Sequence, residues 1–302
     1  MNIERECFSS HMGLWLVEPS WGRACLAALR CGQVPSFSVR RAEMLPSDGN
    51  KSEDDPGDGR TVDGVRIIPI NGAVTKGSSK LGTSSVDVRR QVRQAVADPQ
   101  VRGILLHIDS PGGHVAGTDD LAAAVVLARG ADKPVFAQID DLGASAAYWV
   151  ASQAGHIAVN PSGEVGSIGT LAIVEDTSGA AEMAGIKVHV ITTGPFKAVG
   201  VDGVPVTEAQ LDYIRERVEA INEQFIAAVS DGRSMTKAQV RKLADGKLLS
   251  ARQAIDAGLV DKVARFEDTL ELAVRQVNRP ARSRRAEAKV RMLGLDFGSP
   301  AS

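Results

Sequence analysis

Three glycine- and serine-bearing segments have the residue types and spacing that chemistry requires. In Gly143-Ala144-Ser145-Ala146-Ala147-Tyr148-Trp149, small residues flank one serine, so a substrate backbone can come close to its hydroxyl. The segment follows the apolar run Pro134–Ile139 and opens a helical pattern reaching Ala154. Ser145 then stands at the positive end of a helix, which favours a developing alkoxide. Asp109-Ser110-Pro111-Gly112-Gly113-His114 follows the run Gly103–Ile108 and leads toward another helix. Its Pro-Gly-Gly turn offers unobstructed amides suited to an oxyanion or a phosphate. A tight strand-to-helix turn uses the same residues. The third segment, Val165-Gly166-Ser167-Ile168-Gly169-Thr170, precedes the loop Gly194-Pro195-Phe196-Lys197. The glycines match neither a Walker A loop nor GxGxxG, and Ser145 does not sit in Gly-x-Ser-x-Gly.

A serine nucleophile needs a neighbour to take its proton. Of five histidines, His11 lies near the N-terminus, His107 and His189 fall inside expected strands, and His156 opens one. His114 follows the Pro-Gly-Gly turn and is the histidine candidate. A lysine serves instead where burial holds it neutral. Lowering a lysine pKa by about 3 from about 10.4 takes roughly 4 kcal/mol. Lys197 is flanked by Phe196, Ala198 and Val199, an apolar setting that could desolvate it. The plainer alternative is a solvated loop lysine.

The elements that must position these residues follow from periodicity. Val65–Ile70, Gly103–Ile108, Pro134–Ile139, His156–Val159 and Ile186–Thr192 read as strands. Val88, Val92 and Val96, then Leu121, Val125 and Ala128, recur as helix faces. Strand–helix alternation predicts a mainly parallel sheet with helices on it, and sites at strand C-terminal ends. After Gly203 three capping boxes, Thr207 with Gln210, Thr236 with Gln239 and Ser250 with Gln253, each open a helix. The first runs from about Glu208 to Ser230 with Leu211, Ile214, Val218, Ile221 and Phe225 on one face. Gly258 stops the third before a strand at Leu259–Val263. The chain divides into an N-terminal arm, 1–45, with an amphipathic helix at Arg23–Cys31, a polar Gly/Pro-rich linker, 46–64, a main domain, 65–278, and a basic tail, 279–302.

With 302 residues, 43% of them hydrophobic and 24% charged, the chain can bury a sizeable core. A net charge of −2, from 35 basic and 37 acidic residues, argues against a general nucleic-acid binder. Cys7, Cys25 and Cys31 all lie in the arm, which excludes a disulfide scaffold for the core and points to a reducing compartment. No Cys/His cluster has zinc spacing. The apolar stretch Leu14–Val34 is broken by Glu18, Pro19, Arg23 and Arg30, so neither a membrane span nor a secretory leader is expected. A soluble cytoplasmic protein is the expectation.

Asp109–Val115, Gly143–Ala151, Val165–Gly169 and Gly194–Lys197, in that order, resemble the signal peptide peptidase A family of serine proteases, peptidase family S49. The resemblance runs from about Val65 to Val263 and includes the closing Ala-Gly-Leu-Val-Asp. It implies an α/β, Clp protease/crotonase-like fold with a mainly parallel sheet, flanking helices and a helical C-terminal part. It also implies peptide-bond cleavage by a Ser/Lys dyad without metal or cofactor. On the matching positions, Ser145 is the nucleophile, Lys197 the general base, and Ser167 the hydroxyl that orients the lysine amine. Gly113 and Ala146, with Gly112, supply the oxyanion hole, and Gly166, Ile168 and Gly169 meet the substrate. A homo-oligomeric ring acting on protein substrates, with no membrane or nucleic-acid partner, is implied as well.

Gly13-Leu14-Trp15, the run Ser145–Trp149 and Gly200–Pro205 resemble, within that family, the phage minor capsid protein C type of head maturation protease. That implies phage scaffold, capsid or portal proteins as substrates, in the host cytoplasm or procapsid. A signal-peptide-peptidase-like protease without an anchor and a non-catalytic assembly subunit are the alternatives. A crotonase-like acyl-CoA enzyme would need a carboxylate base. No Glu lies in the Pro-Gly-Gly or Ser145 segments, and Glu164 is the nearest.

Overall fold

Successive side chains of a strand point to opposite faces, so strands buried on both sides are apolar throughout. The computed structural model describes residues 15–17, 60–77 and 82–279. In it β3 (Val65–Asn71), β6 (Gly103–Ser110) and β8 (Val135–Ala144) lie side by side and parallel, with Ile68 opposite Leu106 and Leu106 opposite Ala137. One face carries Ile68, Ile70, Leu106, Ile108 and Ile139. It is covered by α1 (Ser85–Ala97) through Val88, Val92 and Ala95, and by α2 (Thr118–Gly130) through Leu121, Val125 and Ala128. The opposite face, with Ile67, Leu105 and Phe136, is covered by Ala273 and Val277 of α8 (Phe266–Asn278).

The free edge of β8 is shared by two strands. β9 (His156–Val159) runs along Phe136–Ile139, and β10 (Glu164–Gly166) runs along Leu142–Ala144. β11 (Leu248–Ser250) pairs antiparallel with β10, β12 (Lys262–Val263) extends β9, and β2 (Thr61–Val62) pairs antiparallel with β3. A second, smaller sheet has the order β1 (Trp15–Val17), β7 (Gly112–His114), β4 (Ala73–Thr75), β5 (Gly82–Ser84). The expected α/β class with a mainly parallel sheet is observed.

All three expected capping boxes form, opening α5 (Glu208–Arg233), α6 (Lys237–Leu243) and α7 (Ala251–Asp256). At the first, Gln210 N donates to Thr207 Oγ1 at 3.3 Å while Thr207 N donates to Gln210 Oε1 at 3.1 Å. On α5 the predicted face is buried only toward its C-terminal end. Phe225 is in the core, whereas Leu211, Ile214, Val218 and Ile221 are half-buried.

Several expectations are corrected. Ile186–Thr192 is not a strand. Its β-formers have no ladder to join and no face to bury, and Ile191 is 99% exposed. Across 172–206, which includes only the short α4 (Ser178–Met183), Ala198 is the single buried residue. The strand expected at Leu259–Val263 contracts to β12, because Leu259 and Val260 turn into the core. Gly112–His114 forms a strand rather than a turn against a helix, since β4 offers it a parallel partner. The linker's last part, Thr61–Val62, is strand β2. Helix α8 and strands β4, β5, β10 and β11 were not expected. The expected helix at Arg23–Cys31, Gly13-Leu14, the three cysteines, linker residues 46–59 and the tail from 280 lie outside the described residues. Among the described residues, no helix is long and apolar enough to cross a membrane.

Candidate active site

The strand ends converge by register. Ser110 at the end of β6 stands opposite Gly143, and Gly143 stands opposite Val165 of β10. One step further, Ala144 is opposite Gly166, so Ser145 and Ser167 leave the sheet side by side. Ser145 N donates to Gly166 O at 2.8 Å, tying the two turns together.

Ser145 is the N-cap of α3 (Ala146–Ala151) and has φ 53° and ψ −119°. Such a φ is strained for a residue with a Cβ, at a cost of about 1–3 kcal/mol. The strain persists because α3 is anchored on every side. Tyr148 Oη donates to Leu259 O at 2.8 Å, and burial pushes its phenol far above the ordinary range. Trp149 stacks on Phe225 with ring centroids 5.0 Å apart. Gln153 Nε2 donates to Ala228 O at 2.9 Å. Although Ser145 does not lie in Gly-x-Ser-x-Gly, the strand–serine–helix corner has the strained geometry that this motif serves elsewhere.

Ser145 Oγ is buried and has no hydrogen-bond partner among the described residues. Neither His114 nor Lys197 bonds it. Lys197 lies in the 3-10 turn Pro195–Ala198, exposed, on the segment that carries almost no core. The expected desolvated setting is therefore not present: Phe196 is itself 46% exposed, beside Tyr213 at 5.2 Å between ring centroids. The described chain brings Ser145, Ser167, Gly113 and Ala146 to one end of the sheet and leaves Lys197 unbonded to Ser145.

The glycines differ in what they can offer. Gly112 N donates to Ser110 Oγ at 3.2 Å, so this amide is already engaged. Ser110 Oγ in turn donates to Gly72 O at 2.6 Å, fastening β7 to the end of β3. Sequence reasoning gave Ser110 no role; a hydroxyl directly after a strand and before Pro-Gly-Gly was its signal. Gly113 has no room for a side chain, as a Cβ there would lie 1.8 Å from Val74 O. Ala146 is the first residue of α3, where the amide has no intrahelical acceptor.

Ser167, also at positive φ (48°), is held by donation from its N to Lys247 O at 2.7 Å. A cavity of about 320 Å³ opens beside it, lined by Gly169, Thr170, Val218, Asn222 and Asp245. Thr170 Oγ1 and Asn222 Oδ1 are buried there without hydrogen-bond partners among the described residues. The Ile168 side chain packs into the main core.

At the same end of the sheet, on the α8 side, Asp109 lies near Asp140 and Asp141. Burial, then the charges of Asp141 and Asp140, pushes its carboxyl above the ordinary range. Asp140 Oδ2 meets His107 Nε2 at 2.5 Å, and His107 packs on the Phe266 ring at 4.4 Å between centroids. Among the described residues, no group of three or more His, Cys, Asp or Glu side chains could hold a metal ion.

The family model for peptidase family S49 matches residues 128–279, which include Ser145, Ser167 and Lys197. Protease 4 of Salmonella typhi is 30% identical over 210 residues, covering 69% of this chain and 34% of that protein. Capsid assembly protease C of Escherichia phage lambda is 29% identical over 276 residues, 84% of this chain and 62% of that one. The head-tail preconnector protein GP5 of Enterobacteria phage P21 is 29% identical over 226 residues, 72% and 44% respectively. The chain thus spans between about a third and three-fifths of the length of these relatives. The matched half of its length holds the strained serine and the neighbouring Val-Gly-Ser-Ile-Gly turn, and the chain belongs to peptidase family S49.

Proposed function

We propose that the protein is a serine endopeptidase in which Ser145 attacks the peptide carbonyl and Lys197 is its base. The observation that carries this is Ser145 itself: a strained, buried corner residue whose hydroxyl has no partner among the described residues, at the start of the helix that opens with Ala146. A structural N-cap serine bonds its own helix, whereas here the Oγ makes no cap bond. Neutral Lys197 accepts the Ser145 proton as Oγ bonds the carbonyl carbon. The oxyanion is held by the Gly113 and Ala146 amides; one such donor is worth about 2.7–4 kcal/mol. The lysine then passes its proton to the leaving amine as the C–N bond breaks, and water repeats the sequence on the acyl-enzyme. Ser167 orients the lysine amine, and the cavity beside it, with Thr170 and Asn222, receives a substrate side chain able to hydrogen-bond.

Lys197 reaches Ser145 only if the exposed segment 172–206 is packed. Ile173, Met183, Ile186, Ile191 and Phe196 along it are exposed. A second copy of this chain is the surface we assign to them, in a closed homo-oligomer. The names of the two phage relatives favour phage scaffold, capsid or portal proteins as substrates, within the host cytoplasm or the procapsid. The test uses purified protein with fluorescein-labelled casein and a fluorophosphonate probe. Wild type should cleave and be labelled at Ser145. Ser145→Ala should do neither, and Lys197→Arg should not cleave at neutral pH, since guanidinium does not deprotonate. Cleavage retained by Ser145→Ala would refute the assignment.

A further inference from the structure

β7 has two edges. The inner one is closed by β4, with Val74 opposite Gly113 and the two backbones in direct contact. The outer one is taken by β1, antiparallel, with Trp15 opposite His114, Leu16 opposite Gly113 and Val17 opposite Gly112. A peptide that reaches Ser145 by adding a strand beside the Gly113 amide has only the outer edge available. That edge already holds a segment of this same chain, Trp15–Val17. The register sets the Leu16 backbone against Gly113, the residue whose amide is assigned to the oxyanion. Independently, Ser145 Oγ is inaccessible to solvent, although none of the described residues bonds it.

We infer that Trp15–Val17 is a built-in pseudosubstrate: it occupies the strand position of the peptide substrate and must leave β7 before a substrate can bind. The inference rests on the proposed peptidase function and adds to it the occupant of the site. An edge strand suits this use. It supplies main-chain pairing that any extended peptide can match, so a substrate segment displaces it by mass action.

The test is the full-length chain carrying Leu16→Pro and Val17→Pro together. In an antiparallel ladder alternate residues point their N–H at the partner, so one of these two prolines removes a ladder donor whichever phase holds. Hydrogen exchange at residues 112–114 and the rate of Ser145 labelling by a fluorophosphonate are measured on wild type and variant. Both should rise in the variant, labelling by tenfold or more. A synthetic peptide of residues 12–20, added at millimolar concentration, should return the variant's labelling toward the wild-type rate, which also verifies that the variant's site is folded. Unchanged exchange and labelling in the variant would overturn the inference, as would accelerated labelling that the peptide does not slow. Faster exchange with no labelling of either protein would retain the strand's placement and overturn the nucleophile instead.

Discussion

Gly113→Ala tests the proposed place of β7 beside the oxyanion. The added Cβ would lie 1.8 Å from Val74 O and 2.7 Å from Val74 N, both backbone atoms, so no rotamer relieves the clash. Ordinary contact starts near 3.4 Å, so β7 must move away from β4 by roughly 1.5 Å, a displacement of the size that costs about 100-fold when it misplaces a reacting group. Loss of an oxyanion donor costs about 10²–10³ in kcat. Overpacking costs about 1–3 kcal/mol of stability, which leaves a folded protein with a lower urea midpoint. The assay is kcat on labelled casein beside urea unfolding of the same preparation. The expected result is a kcat at least 100-fold down with a cooperative transition retained. A folded Gly113→Ala protein whose kcat stays within about threefold of wild type would refute both the crowding argument and the oxyanion role, since 100-fold is the smallest loss that role allows.

Two further outcomes are expected. Arg233 Nη2 donates to Asp261 Oδ1 at 2.6 Å, and Ile157 N donates to Asp261 Oδ2 at 2.7 Å. Burial alone would raise the Asp261 pKa, but the hydrogen bond and charge of Arg233 outweigh it and hold the carboxyl below its usual range. A carboxyl with a lowered folded pKa stabilises the fold above its unfolded value of about 3.9 and stops doing so as pH falls through the folded one. Asp261→Asn should therefore lower the urea midpoint at pH 7, and the gap to wild type should narrow once pH falls below about 3.9; a gap constant from pH 7 to 2 contradicts this. Ile191→Asp, at a side chain 99% exposed, should leave the monomer's stability within about 0.5 kcal/mol. Sedimentation should show the assembly lost, and casein cleavage should be lost with it; an intact oligomer would remove segment 172–206 from the proposed interface.

Legibility tracked whether a residue's surroundings are local in sequence. The strands from Val65, Gly103, Pro134 and His156 were readable because each is apolar on both faces and bounded by turn residues. The three capping boxes were readable because Thr207, Thr236 and Ser250 each find their glutamine three residues on. β4, β5 and β7 were not, since short strands such as Ala73–Thr75 and Gly112–His114 acquire their state from each other across some 40 residues. Ile186–Thr192 failed in the opposite direction: its β-branched residues satisfy a local rule, but no neighbour is there to satisfy the ladder. In the site, the small residues around Ser145 were plain. Its positive φ was not, because that depends on β8, β10 and α5 together holding α3 in place. Nor was the engagement of the Gly112 amide by Ser110.

The two members of the proposed dyad depend on different parts of the molecule for their positions. Ser145 is over-determined: the sheet register, the bond to Gly166 O and the burial of Tyr148 and Trp149 fix it, at a cost in backbone strain the core can bear. Lys197 is under-determined, on a segment where only Ala198 is buried, and nothing in the described chain drives its amine out of water. A base needs desolvation to be neutral near pH 7, and desolvation needs a surface. On the proposed function that surface has to come from outside the protomer's own core, while β1 lies over the acceptor edge of β7. Two separate events would then be required before a peptide is cut, packing of 172–206 and release of Trp15–Val17. A peptidase that must not act before its surroundings are assembled gains from having both, because loss of one restraint alone leaves either an open strand site without a base or a completed dyad with its strand site filled.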